Sequence, residues 1–233
     1  SPQHATPTRV AAIDNVQAVT LGDQFTCALK NDKTVWCWGD NQNGQLGHDG
    51  NTSPDPTPKQ VTGFTDVAQI SAGAVHSCAL KSDKTLWCWG NNEHGELGLT
   101  AAQSADKCLT NNKLECSYKP LLVPKGSDIQ ALSAGGNHTC AVTSPGVVLC
   151  TGQNNFGQLG IGDATTASAL TELKVVPAGF GAARLILAGN LHTCSVQQDN
   201  RAWCWGLNTK GQLGDGISIA NHNIPTLVKA GNP

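Results

Sequence analysis

An all-β fold, assembled from repeated blades of antiparallel sheet, is predicted by three features of this sequence. A unit of about 50 residues recurs along the chain, and such a period signals stacked or ring-arranged supersecondary units. Every copy carries a pair of cysteines ten positions apart, and short β-branched runs alternate with glycine turns. The four copies are GDQFTCALKNDKTVWCWGDNQNGQLG at 22–47, GAVHSCALKSDKTLWCWGNNEHGELG at 73–98, GGNHTCAVTSPGVVLCTGQNNFGQLG at 135–160 and GNLHTCSVQQDNRAWCWGLNTKGQLG at 189–214. One such unit cannot bury both of its faces, so neighbouring units must stack. Three or four short strands per unit are the sequence form of a β-propeller blade.

Taken in order, residues 16–21 alternate and begin with a β-branched residue, and 26–30 and 34–38 form the arms of a hairpin. The Pro-rich stretch at 58–61 suits an edge strand, where a missing N–H does no harm. Its counterparts lie at 120–123, 173–176 and 225–228, and residues 7–10 supply a similar motif ahead of the first copy. The repeat cores are 16–47, 67–98, 129–160 and 184–214, within a single repeat domain at 1–233 that carries an insertion at 99–119.

Ten cysteines in a chain of 233 residues point to an oxidising compartment. If Cys27 faces Cys37 across the hairpin, the loop is Asn31, Asp32 and Lys33. A three-residue hairpin loop ends in a left-handed residue, which favours Gly or Asn. Gly146 and Asn200 stand in that column, with Lys33 and Lys84 in the other copies. Directly opposed residues of a non-hydrogen-bonded pair have Cα atoms about 4.5 Å apart, near the lower limit for a disulfide. Cys27–Cys37, Cys78–Cys88, Cys140–Cys150 and Cys194–Cys204 are therefore read as cross-strand disulfides, each worth about 2 to 3 kcal/mol at most. Parity pairs the remaining Cys108 with Cys116 inside the insertion. Paired knuckles of zinc-binding spacing do not occur, so no metal and no cofactor is expected.

Repetition by column assigns most of the chemistry-bearing residues to architecture. Trp36, Trp38, Trp87, Trp89, Trp203 and Trp205 read as filler between blades. Copy three places Leu149 and Thr151 in those columns, which predicts one less bulky junction. His76, His138 and His192 share a column with Phe25, so each is read as a structural histidine bonding its local backbone. Asp32, Asp83 and Asp199 are turn residues. The residues GxxHTCAL, WCWGxNxxGQLG and the trailing Pro-x-x-Val resemble the regulator of chromosome condensation repeat over nearly the whole chain, 16–228. That resemblance implies β-propeller blades, about seven in a full ring, and the cysteine pairs resemble secreted bacterial relatives. The family's founding activity, nucleotide exchange on the small GTPase Ran, is intracellular and is not expected here.

The formal charge of −2, with 14% charged residues, lacks the basic stripe that nucleic-acid binding needs. No apolar run is long enough to span a membrane. The sequence contains no Met, so Ser1 is read as the start of a mature, processed or excised chain. Three readings of the ring stand open: a fragment of a larger propeller, an open array whose edges self-associate, or a small closed propeller.

Function is expected where the repeat is interrupted. Spacings between first cysteines are 51, 62 and 54 residues, and the surplus in the second interval is the insertion with Lys107, Lys113, Tyr118 and Lys119. Long loops on a rigid scaffold are where binding residues concentrate. The expected function is a secreted, extracellular or periplasmic, non-enzymatic module. It binds another protein or a cell-surface component through this loop, and secreted enzyme inhibition is a specific version. The competing class is a glycan-active enzyme at the propeller mouth, which needs converging carboxylates; Asp40, Glu93, Glu96 and Asp163 are the candidates. Asn51 and Asn137 match the N-glycosylation pattern, and Asn51, in a Pro-rich loop, suits it better. No G-x-S-x-G elbow, Walker loop or H-E-x-x-H motif occurs.

Overall fold

A computed structural model describes residues 6–48, 53–100, 103, 106–108, 115–163, 170–177, 179–216 and 219–229. Its elements, among the described residues, are all strands. The first blade contains β1 (Val16–Leu21), β2 (Phe25–Lys30), β3 (Val35–Gly39) and β4 (Asp55–Gln60). The second contains β5 (Val67–Ala72), β6 (His76–Lys81), β7 (Leu86–Asn91), β8 (Asp106–Lys107) and β9 (Glu115–Leu122). Strands β10 (Ile129–Ala134), β11 (His138–Thr143), β12 (Val148–Gly152) and β13 (Leu170–Val175) form the third. The fourth holds β14 (Ala183–Ala188), β15 (His192–Gln197), β16 (Ala202–Gly206) and β17 (His222–Leu227). Every pairing is antiparallel and follows chain order, except that β9 lies between β7 and β8.

The central hairpins take the expected register. Cys27 opposes Cys37, and the same pairing recurs in each blade with Cα atoms 4.1 to 4.2 Å apart. The third loop residue is left-handed in all four: Lys33 at φ 66°, Lys84 at 67°, Gly146 at 86° and Asn200 at 67°. Asp32, Asp83 and Asp199 accept backbone N–H bonds from the residue two ahead, which fastens three of the turns. Gly90, near the end of β7, has φ 101°, where a Cβ would sit 2.7 Å from the His76 Cα; the column admits only glycine.

The tail motif explains itself through two amides. In each blade an Asn carboxamide oxygen accepts the N–H of the leucine five positions on: Asn41 from Leu46, Asn92 from Leu97, Asn154 from Leu159 and Asn208 from Leu213. Gln45, Gln158 and Gln212 each accept the N–H two residues back, and Glu96 does the same in the second blade. Those leucines are at most 1% exposed and enter the core.

The core is divided among the junctions. Phe25, Cys27, Leu29, Val35 and Leu46 of the first blade meet Phe64, Ala79 and Trp89 of the second. Leu80, Leu86, Leu97 and Leu99 meet Ile129, Leu132 and Ala141, and Val142, Val148 and Leu159 meet Phe180, Ile186 and Trp205. Contacts run from each sheet to the next, and the sheets are not closed into a ring. The small closed propeller is thereby corrected.

Three other expectations are corrected. The outer strands begin three to five residues earlier than the Pro-x-x-Val motifs suggested, because an edge strand accommodates Pro56 and Pro58 without needing their N–H groups. Residues 7–10 form no strand. The second sheet has a fifth strand, β8, folded back from the insertion on β9.

Candidate functional site

The repeated side chains work across junctions. His76 Nε2 lies 2.9 Å from the Thr139 hydroxyl of the next blade, and His138 Nε2 lies 2.9 Å from Thr193. Thr139 and Thr193 donate their own protons to the Glu96 and Gln158 carbonyls, so each imidazole must be the donor from Nε2. The expected local backbone partner is therefore corrected: the ring points out of its own sheet. Ring room is made by Gly73, where a Cβ would lie 2.1 Å from His76 Cε1. Burial lowers the pKa of His76 to about 4. Burial, then the charges of His76 and His192, lower that of His138 to about 3. Both rings are neutral at pH 7.

Tryptophans join the same seams. Trp89 Nε1 donates to the Gln45 carbonyl and Trp205 Nε1 to that of Gln158, both at 2.9 Å. In the third blade Thr151 stands in this column and donates its hydroxyl to Gly95. Backbone bonds complete the seam nearest the axis: Asp23 N–H to the Ala74 carbonyl, Ala74 to Gly136, and Gly136 to Asn190. A mouth of about 320 Å³ lined by residues 21–23, 72–74, 134–136 and 188–190 opens there. None of Asp40, Glu93, Glu96 and Asp163 lines it. Asp40 binds Gln45 and Ser53 beside its own turn, and Glu96 is fully buried with its pKa raised to about 7 by burial.

The insertion is stapled as parity required. Cys108 and Cys116 form a disulfide, both buried, where β8 meets β9. Of the four candidate loop residues, Lys107 lies in β8, and Tyr118 and Lys119 lie in β9. Lys113 lies outside the described residues, as does Asn51. Tyr118 is half-buried with its N–H on Asp106. Lys119 is exposed at the rim of a second cleft of about 320 Å³, between the first and second blades. This cleft also contains Phe64, Lys81 and Trp87, three residues that no motif of the repeat groups as a site.

The geometry thus comprises four antiparallel blades, three sealed junctions and an interruption beside one of them. A family model for the RCC1-like domain matches residues 1–232. The chain belongs to the RCC1-like domain family. The ultraviolet-B receptor UVR8 of Arabidopsis thaliana is 28% identical over 274 residues, a match spanning 97% of this chain and 61% of that protein. Human HERC4, a probable E3 ubiquitin-protein ligase, is 31% identical over 96% of this chain and 20% of its own length. Among solved structures, Prp20p of Saccharomyces cerevisiae superposes with a TM-score of 0.79 at 23% identity, covering 97% of this chain and 53% of that one. Human WBSCR16 gives the same TM-score at 21% identity. The RCC1-like chain thus spans between a fifth and three fifths of these proteins. Its arc of four blades follows the fold of the Prp20p propeller over half of that chain.

Proposed function

We propose that this RCC1-like chain is a non-enzymatic interaction module that works in an oxidising space, extracellular or periplasmic, and binds a protein partner through the surface built around residues 99–119. The observation that carries this reading is the stapled insertion. It is the place where a regular array departs from its repeat, it adds a strand, and it borders a cleft. Ten cysteines engaged in five disulfides support the compartment. The Prp20p structure is described with that protein's binding to Gsp1p and histones, which supports a protein as the class of partner.

The test is capture by the intact chain, compared with a variant whose residues 108–116 are replaced by a short Gly-Ser turn. Capture is lost while the melting profile of the blades is kept. Capture that survives the replacement removes binding from this surface. Alkylation of the unreduced chain, taken directly from the compartment it occupies, leaves all ten cysteines unlabelled; substantial labelling sinks the oxidising assignment.

A further inference from the structure

The cleft between the first two blades differs from the corresponding part of every other junction in its charge. Lys81, at the end of β6, is half-buried with its ammonium 5.5 Å from the Phe64 ring centroid and 5.7 Å from that of Trp87. The two rings meet edge to face at 5.7 Å. The Lys81 ammonium makes no hydrogen bond or ion pair among the described residues; the backbone of Lys81 bonds to Thr85 and Lys84. Asp83 is near, but its Oδ1 accepts both the N–H and the hydroxyl of Thr85. Those bonds come first, and Lys81 further, in holding the Asp83 carboxyl below the usual range.

The same column in the first blade shows what is missing. Lys30 sits over Trp36 at 5.3 Å and has two carboxylates within reach, Asp14 at 3.9 Å and Asp32 at 3.6 Å. The position equivalent to Asp14 is Thr65 in the second blade, so Lys81 has lost a counter-ion that its sequence twin retains. In the fourth blade Phe180 and Trp203 reproduce the aromatic pair, but Gln197 stands in the lysine column. An ammonium held over two aromatic faces, inside a cleft and with no carboxylate in direct contact, is arranged to receive one. The Trp87 indole N–H is already committed to the Thr85 hydroxyl, so the ring offers its apolar face alone. Lys119 and Pro120 complete the rim from β9, the strand that carries the stapled insertion.

We propose that this cleft binds an acidic peptide segment. One Asp or Glu carboxylate pairs with Lys81, and a neighbouring apolar side chain lies on Trp87 and Phe64. The volume of about 320 Å³ is at the lower end of ligand pockets and takes one or two side chains. This inference rests on the interaction-module reading and supplies the chemistry of the partner's contact segment.

The test titrates the isotope-labelled full chain with acetyl-Glu-Glu-Leu-Glu-Glu-amide, using acetyl-Gln-Gln-Leu-Gln-Gln-amide as control. Binding is followed by NMR at the Trp87 indole N–H and the Lys81 amide. The acidic peptide gives saturable shifts at these two positions, weakened severalfold by raising the salt from 20 to 300 mM, an increase in screening. Lys81→Gln weakens binding about tenfold, the scale of one charge-assisted hydrogen bond. Lys30→Gln, at the twin position, leaves it unchanged. Equal shifts from the glutamine peptide, or binding indifferent to Lys81→Gln in a variant with a wild-type spectrum elsewhere, overturns the proposal. Partner capture that persists while the acidic peptide fails at Lys81 discards the cleft alone and leaves the module reading standing.

Discussion

Trp89 and Trp38 occupy the same column of the repeat, yet they live in different surroundings. Trp89 is 1% exposed and hydrogen-bonded to the preceding blade, as is Trp205 at its own junction. Trp38 lies on the open face of the first blade, half-buried, and its indole N–H has no partner among the described residues. The same contrast separates Thr139, fully buried between a histidine and a carbonyl, from Thr26 on that open face. A repeat column therefore specifies what a neighbour receives, and its energetic worth depends on that neighbour being present. The sheets themselves are similar throughout; the junctions set the differences.

Truncation of the indoles tests this most severely. Trp89→Ala or Trp205→Ala removes a fully buried ring at a seam and costs about 3 to 5 kcal/mol, whereas Trp38→Ala costs roughly 1 kcal/mol or less. Urea melts of the three variants check the ranking, and equal losses would break the comparison. Next in size is Thr139→Val, which leaves the Glu96 carbonyl and the His76 N–H unpaired in a buried seam. It destabilises by about 2 to 3 kcal/mol, against a change near zero for Thr26→Val.

The pH dependence sharpens the contrast further, because buried seam groups titrate far from their ordinary values. Glu96 has its pKa raised to about 7 by burial. The folded chain thus binds more protons there than the unfolded one between about pH 4.5 and 7, and this contribution to stability fades as pH rises through that window. Replacement by glutamine, the residue of the other three blades, abolishes the loss, worth about 1 to 3 kcal/mol at pH 8. His76 and His138 act in the opposite sense. Their lowered pKa values, about 4 and about 3, make the folded state bind fewer protons below pH 6.5. Stability therefore declines on acidification from there until the folded rings themselves charge. Thermal melts of Glu96→Gln and the parent at pH 5 and pH 8 read both limbs.

The smallest expected effect is the control. Lys33 and Lys84 hold left-handed conformations in exposed turns, and substitution of either by Gly stabilises by roughly 0.5 to 1 kcal/mol. The gain is the same in both blades, because both tips make the same bond to the next one: the Lys33 carbonyl accepts the Val67 N–H and that of Lys84 the Ile129 N–H. A gain at Lys84 alone would show that the two tips are held differently by their neighbours.

What could be read from the sequence follows this division between sheet and seam. The Cys27–Cys37 spacing determined loop length and register, because one hairpin contains both residues. The aspartate turns, the burial of Trp89 and Trp205 and the fifth disulfide were legible on similarly local grounds. The histidine partners were not. Alignment of four copies shows that His76 and Thr139 occupy fixed columns, but not that one blade's histidine faces the next blade's threonine. The outer strands start ahead of their Pro-x-x-Val motifs because prolines lie within these strands and do not mark where they begin. Lys81 escaped notice because its own repeat reads like that of Lys30; the signal was Thr65, in the position where the first blade has Asp14. The short strand β8 had no pattern of its own to reveal it.

All five disulfides lie within a blade, and none of them stitches one blade to the next. Pulled from its ends, the molecule should behave as a row of separately locked beads. The seams yield while each central hairpin stays closed, and every closed hairpin withholds a ten-residue span, about 35 Å of contour. Adding a reductant lengthens each rupture step by that amount without altering how the beads are joined.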